Sequence, residues 1–134
     1  MRFDHIGLFV SDLSYGRERL AALLPIVRFS SEIDDPLLQV RIQFCTDSSN
    51  TCYELVAPLG DKNPVSGVLG SGRNILNHVA YRVDSLETAM DSLRKQGSIP
   101  VAAPASAVAF AGARVVFFLT PLRFLIELIE DPQT

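Results

Sequence analysis

Asp4-His5-Ile6-Gly7-Leu8-Phe9-Val10-Ser11-Asp12-Leu13 and Asn77-His78-Val79-Ala80-Tyr81-Arg82-Val83-Asp84-Ser85-Leu86 follow one pattern, with His5 over His78 at a displacement of 73 positions. The same displacement carries Leu20 onto Leu93, Arg41 onto Arg114, Phe44 onto Phe117 and Glu54 onto Glu127 without a gap. Glu54 sits in Tyr-Glu-Leu-Val and Glu127 in Ile-Glu-Leu-Ile. A register held from the histidine to the glutamate in both halves marks a duplicated supersecondary unit. The chain therefore reads as two tandem βαβββ modules of an α+β fold. One curved mixed sheet is expected around a cavity, with the helices on its outer face. Module 1 spans about residues 1–58, a linker about 59–74 and module 2 about 75–134, all within one domain.

Local signals place the elements. Each half opens with a strand, the first over about residues 3–10. Ser11 or Asp12, and then Asp84 or Ser85, are suitable N-caps for the helices that follow. These helices run to about Leu24 and about Gln96, where Gly97 supplies a stop. Hairpins are expected at about 38–45 with 51–57 and at about 113–119 with 123–130. The glycine- and proline-rich stretch from Pro58 to Asn74 reads as the linker, with a short helix around Val65–Leu69.

Bulk properties narrow the partners. With 134 residues, 48% hydrophobic and 20% charged, the chain has ordinary globular composition. A net charge of −3 and a pI near 5.3 argue against nucleic acid, which calls for a basic face. No apolar run approaches the roughly 20 residues of a membrane span. The opening residues run straight into strand-like sequence, so no secretory leader is expected and the expected address is the cytoplasm. Cys45 and Cys52 flank a polar turn and could face each other across a hairpin as a disulfide, but reduced thiols are expected in that compartment.

Strand alternation sorts side chains onto two faces. His5, Gly7 and Phe9 oppose Ile6, Leu8 and Val10; His78, Ala80 and Arg82 oppose Val79, Tyr81 and Val83. In the first hairpin, Val40, Ile42 and Phe44 are expected beneath the helix, which sends Gln39, Arg41 and Gln43 to the other face. On this reading His5, Glu54, His78 and Glu127 share a face with Gln39, Gln43, Arg41, Arg82 and Arg114. A single histidine in a strand is usually structural. Four such residues at one displacement and on one face, including the only two histidines in the chain, point to a metal site. Two imidazoles and two carboxylates suit Zn, Co, Ni, Mn or Fe and do not choose among them. Four protein ligands on a six-coordinate ion leave positions open for substrate. Arg41, Arg82 and Arg114, with Gln39, are candidates to bind the anionic part of a small substrate, arginine through bidentate contact.

These residues resemble the vicinal oxygen chelate superfamily, which includes glyoxalase I, methylmalonyl-CoA epimerase, extradiol dioxygenases and bleomycin-resistance proteins. The likeness spans nearly the whole chain. Asp4-His5-Ile6-Gly7 looks like the family's opening strand, and Leu125-Ile-Glu127-Leu closes the match. Glu54-Leu-Val-Ala-Pro-Leu-Gly60, Asn63-Pro-Val-Ser-Gly-Val-Leu69 and Asn77-His78-Val-Ala-Tyr-Arg-Val83 are most similar to the epimerase branch. The resemblance implies that His5, Glu54, His78 and Glu127 bind one divalent ion. It further implies an enolate-type proton shift α to the thioester carbonyl of an acyl-CoA-like substrate, in a homodimeric enzyme. Glu127, as a ligand able to act as base, and Gln43 are the candidates for catalysis. One departure is plain: the branch carries an extra carboxylate on the strand before the Glu54 strand, where Gln39, Arg41 and Gln43 stand here. A glyoxalase I-like lyase acting on a thiol–aldehyde adduct, or a metal-free binding protein of the resistance type, would use the same scaffold. A dioxygenase fits less well, because no histidine beyond His5 and His78 is present.

Overall fold

The structure is a computed structural model, and it describes residues 1–72 and 76–131. In chain order the elements are β1 (Arg2–Phe9), α1 (Leu13–Leu23), β2 (Ile26–Phe29), β3 (Ile33–Asp35), β4 (Val40–Asp47) and β5 (Cys52–Pro58). There follow α2 (Val65–Gly70), β6 (His78–Val83), α3 (Leu86–Lys95), β7 (Ile99–Pro100), β8 (Ala105–Ser106), β9 (Arg114–Leu119) and β10 (Leu125–Glu130). A 3-10 turn at Val108–Phe110 precedes β9. The anticipated helices, hairpins and short linker helix are all present. The end of the expected linker, 73–74, and the first residue of the expected second module, 75, lie outside the described residues. No helix among the described residues is long and apolar enough to cross a membrane.

Two compact units divide the chain, His5–Asn77 and Met1–Asp4 with His78–Thr134. The chain passes from one unit to the other twice, inside β1 between Asp4 and His5 and again between Asn77 and His78, so the first three residues of β1, Arg2–Asp4, belong to the second unit. The hydrogen-bonded strand order is β2-β4-β5-β1-β6-β10-β9-β7, with β3 on β4 and β8 on β9.

In the first unit, the Asp12 side chain accepts from the Tyr15 amide at 2.8 Å and starts α1. Leu13 and Leu20 of α1 pack on Cys45, Leu55 and Ala57, with Leu8, Val10, Ile26 and Tyr53 around them. In the second unit, Ser85 caps α3 by accepting from the Thr88 amide at 3.2 Å. Glu87 in the first turn of α3 and Arg94 and Lys95 in the last complement the helix dipole. Gly97 ends the helix with φ +89°, a conformation open to glycine at little cost. Leu86 and Met90 of α3 pack on Val83, Val116, Phe118 and Leu128.

These contacts correct the expected face of the hairpin strands. Cys45, and with it Arg41 and Gln43, lies on the helix side of β4; Val116 and Phe118, and with them Arg114, lie on the helix side of β9. Val40, Ile42 and Phe44 occupy the other face. The physical reason is that both faces of the sheet are apolar. Val40, Ile42, Val56, Val115 and Ile129 are buried on the side away from the helices. Alternation shows that two faces exist but does not say which one meets the helix.

Candidate metal centre

The displacement of 73 reappears in the hydrogen-bond ladders. β1 runs parallel to β5 with Gly7 beside Glu54, and β6 runs parallel to β10 with Ala80 beside Glu127. The antiparallel hairpins set Phe44 opposite Glu54 and Phe117 opposite Glu127. Each histidine stands two residues before the glycine or alanine of its strand, so each unit carries its histidine and glutamate on one face, away from its helix.

In the first unit His5 Nε2 lies 3.4 Å from Glu54 Oε1. In the second, His78 Nε2 lies 3.4 Å from Glu127 Oε1. All four are buried, at 0%, 3%, 2% and 3% exposure in chain order. An aromatic ring packs on each imidazole in a T-shaped arrangement, Phe44 with His5 at 5.9 Å and Phe117 with His78 at 5.1 Å between centroids. A separation of 3.4 Å is long for an N–H···O bond. Two donors held about 2.1 Å from one cation at near-tetrahedral or right angles stand about 3.0–3.4 Å apart, which matches. The residues of each pair therefore fit a divalent ion, each pair offering one imidazole nitrogen and one carboxylate oxygen at ligand-like spacing.

The remaining residues singled out from the sequence go elsewhere. Gln43, expected at the metal, is buried on the α1 side, where its side chain accepts from Arg17 at 2.7 Å and donates to the Ser30 carbonyl at 2.7 Å. Arg41 pairs with Asp34 at 2.7 Å, and that bond holds the Asp34 carboxyl below its usual range. Arg114 bridges Glu87 at 2.8 Å and Glu130 at 3.0 Å against α3. Gln39 has φ +56° and caps the following loop, its side-chain Oε1 accepting from the Lys62 amide at 2.8 Å. A Cβ at Gly60 would come within 2.5 Å of that oxygen, which accounts for the glycine.

Arg82 alone of the three arginines shares a face with its unit's glutamate, and its charge is already engaged. It meets Asp4 at 2.7 Å and Asp131 at 3.0 Å, under the Phe110 ring at 5.7 Å. Asp4 and Asp131 come from opposite ends of the chain, so Arg82 is a clasp. Arg82→Ala is expected to lower unfolding stability by about 1–3 kcal/mol, measured in urea, and to leave metal content unchanged. Unchanged stability with weakened substrate binding would restore it to the binding role.

Arg28 was not anticipated. It sits opposite Thr46 on the same face of the first unit as Glu54, is exposed, and makes no ion pair among the described residues. A register shift between Ile26 and Arg28 hides it from the repeat. The two cysteines are thiols on opposite faces of the β4–β5 hairpin, since Thr46, not Cys45, is opposite Cys52. Burial pushes the Cys45 thiol up to about 11.

The chain belongs to the Glyoxalase/Bleomycin resistance protein/Dioxygenase superfamily, whose sequence profile matches residues 4–117. Among curated proteins it is 28% identical over 133 residues to an ethylmalonyl-CoA/methylmalonyl-CoA epimerase of Cereibacter sphaeroides, covering 98% of this chain and 97% of that one. Methylmalonyl-CoA epimerase from Mycobacterium tuberculosis superposes with a TM-score of 0.77 at 25% identity, over 98% of this chain and 89% of that one. A hypothetical protein of Bacillus halodurans shares the fold with a TM-score of 0.79 at 22% identity, over 99% and 96% of the two chains.

Proposed function

We propose that the two His–Glu pairs hold one divalent ion, and that the chain is an epimerase-type isomerase acting α to the carbonyl of an acyl-CoA-like thioester. The observation that carries this reading is the pair itself, buried twice at equivalent ladder positions with ligand-like spacing. End-to-end likeness to an acyl-CoA epimerase supports the choice of reaction. When bound, the ion supplies Lewis acidity that lowers the cost of charge developing on the carbonyl oxygen. The proton is the protein's task. Val40, Ile42 and Phe44 of β4 and Val115 and Phe117 of β9 share the faces of the two glutamates and bring no carboxylate. Asp35 of β3 also lies on the Glu54 face, where it is buried and its side chain accepts from the Leu38 amide at 3.1 Å. The glutamates of the pairs are the carboxylates beside the imidazoles, and Glu127 is assigned as base. The apolar residues around it keep water from competing for the proton. Arg28, rather than Arg41 or Arg114, is the cation available for an anionic part of the substrate.

The lack of an added carboxylate on β4 also favours a second reading, a lyase that needs only a metal-linked base. Solvent deuterium incorporation at the α-carbon of methylmalonyl-CoA separates the two. The epimerase reading expects exchange by metal-loaded protein and its loss in Glu127→Gln. Full metal occupancy without exchange transfers the assignment to the lyase.

A further inference from the structure

The two units are alike at the metal pair and unlike beside it. In the second unit, Leu125 is the ladder neighbour of His78, Leu119 is opposite Leu125, and Ile99 is opposite Leu119. One step further along, Phe117 is opposite Glu127, and the Val101 amide bonds the Phe117 carbonyl at 2.8 Å. Cross-strand partners share a face, so these two rows run from His78 and Glu127 out to the sheet edge without a polar side chain. Their outer members are open to solvent: Ile99 is 64% exposed, Val101 61% and Leu119 37%. The corresponding row of the first unit reads Cys52, Thr46 and Arg28. Duplication supplied the same strands to both units, yet only the second unit carries an apolar strip.

We propose that Ile99, Val101, Leu119 and Leu125 receive the hydrocarbon part of the acyl group, so that the preferred substrate carries a branch or chain of several carbons. This rests on the epimerase reading above for the site's chemistry. Its own ground is continuity: the strip begins at the ligand-bearing residues and ends in solvent, as a subsite for an extension of the substrate must. A partner protein is the poorer occupant, because four side chains fall far short of the roughly 800 Å² per partner of a stable interface. The distance from β10 to β7 is two strand spacings, about 10 Å, which accommodates a chain of roughly six to eight carbons.

Calorimetric titration of zinc-loaded protein with saturated acyl-CoA thioesters, from acetyl to decanoyl, tests the strip. The dissociation constant should fall about two- to fourfold per added methylene and level off near eight carbons. Ile99→Asn and Leu119→Asn should flatten that dependence, while Leu23→Asn, at an exposed apolar residue on α1, should not. A flat dependence in the parent protein, or an unaltered one in both strip variants, overturns the proposal. So does a change of sedimenting mass in those variants with the chain-length dependence intact, which would make the strip a contact between copies. The outcomes also separate the two levels of assignment. Graded affinity without α-deuterium incorporation removes the reaction and keeps the strip; incorporation with ungraded affinity removes the strip and keeps the reaction.

Discussion

His78→Ala should leave the protein unable to retain a divalent ion through desalting, and should lower α-proton exchange by about three orders of magnitude. His5→Ala should do the same. The expectation of equal effects comes from the duplication: each imidazole sits at the same ladder position relative to its glutamate, with the same 3.4 Å separation and a phenylalanine ring packed on it. The size follows from Lewis-acid stabilisation of several kcal/mol, at about 1.4 kcal/mol per tenfold in rate. Elemental analysis is the direct measurement, and the parent protein should carry one ion per chain. Two ions per chain would mean that each pair binds separately. Arg41→Ala and Arg114→Ala are the internal controls. Both arginines are on the helix side and ion-paired there, so metal content should not change. Equal metal content in His5→Ala, His78→Ala and the parent protein would end the metal assignment.

The two His–Glu pairs were legible in the sequence because recognising them does not depend on knowing which face of a strand is buried. A displacement shared by His5 and His78, by Phe44 and Phe117, and by Glu54 and Glu127 needs only alignment of the chain with itself. Helix starts were legible for a similar reason, since Asp12 and Ser85 act through amides three residues away. The faces of β4 and β9 were not. Val40-Arg41-Ile42-Gln43-Phe44-Cys45 alternates, but its apolar set shares the face of Glu54, and the helix side tolerates Gln43 through bonds to Arg17 and Ser30. The phase of β4 is set by its pairing with β5, where Phe44 is opposite Glu54. That pairing depends on the turn between the strands and cannot be read from alternation within either one.

The edge strands show where duplication stops being a guide. Ile26 and Ile99 correspond by displacement, yet Ile26 packs toward α1 while Ile99 pairs with Leu119 on the opposite face. The register shift in β2 is the cause: one residue out of step turns each later side chain over. It is also what brings Arg28 to the ligand face of the first unit. The two units are thus alike at their His–Glu pairs and divergent at their edge strands.

Glu127→Gln should have opposite effects on stability in the two metal states. Glu127 is 3% exposed, and withdrawing a carboxylate from water costs several kcal/mol unless opposite charge compensates it. Without a cation that compensation is incomplete, so the neutral, nearly isosteric glutamine should stabilise metal-free protein by about 1–3 kcal/mol. At about 2–6 °C per kcal/mol for a chain of this size, the metal-free variant should melt several degrees above the metal-free parent. Saturating metal reverses the order. An ion present at about a thousand times its dissociation constant adds about 4 kcal/mol to the folded parent protein. The variant lacks the second unit's carboxylate ligand and should gain little of this. Scanning calorimetry of parent and variant, each with chelator and with excess zinc, reads the crossing directly. A variant that melts lower in both states, and still rises with zinc as the parent does, would show that Glu127 serves packing rather than the ion. The expected crossing would mean that the buried glutamate is kept at a cost to the metal-free fold, a cost that only bound metal offsets.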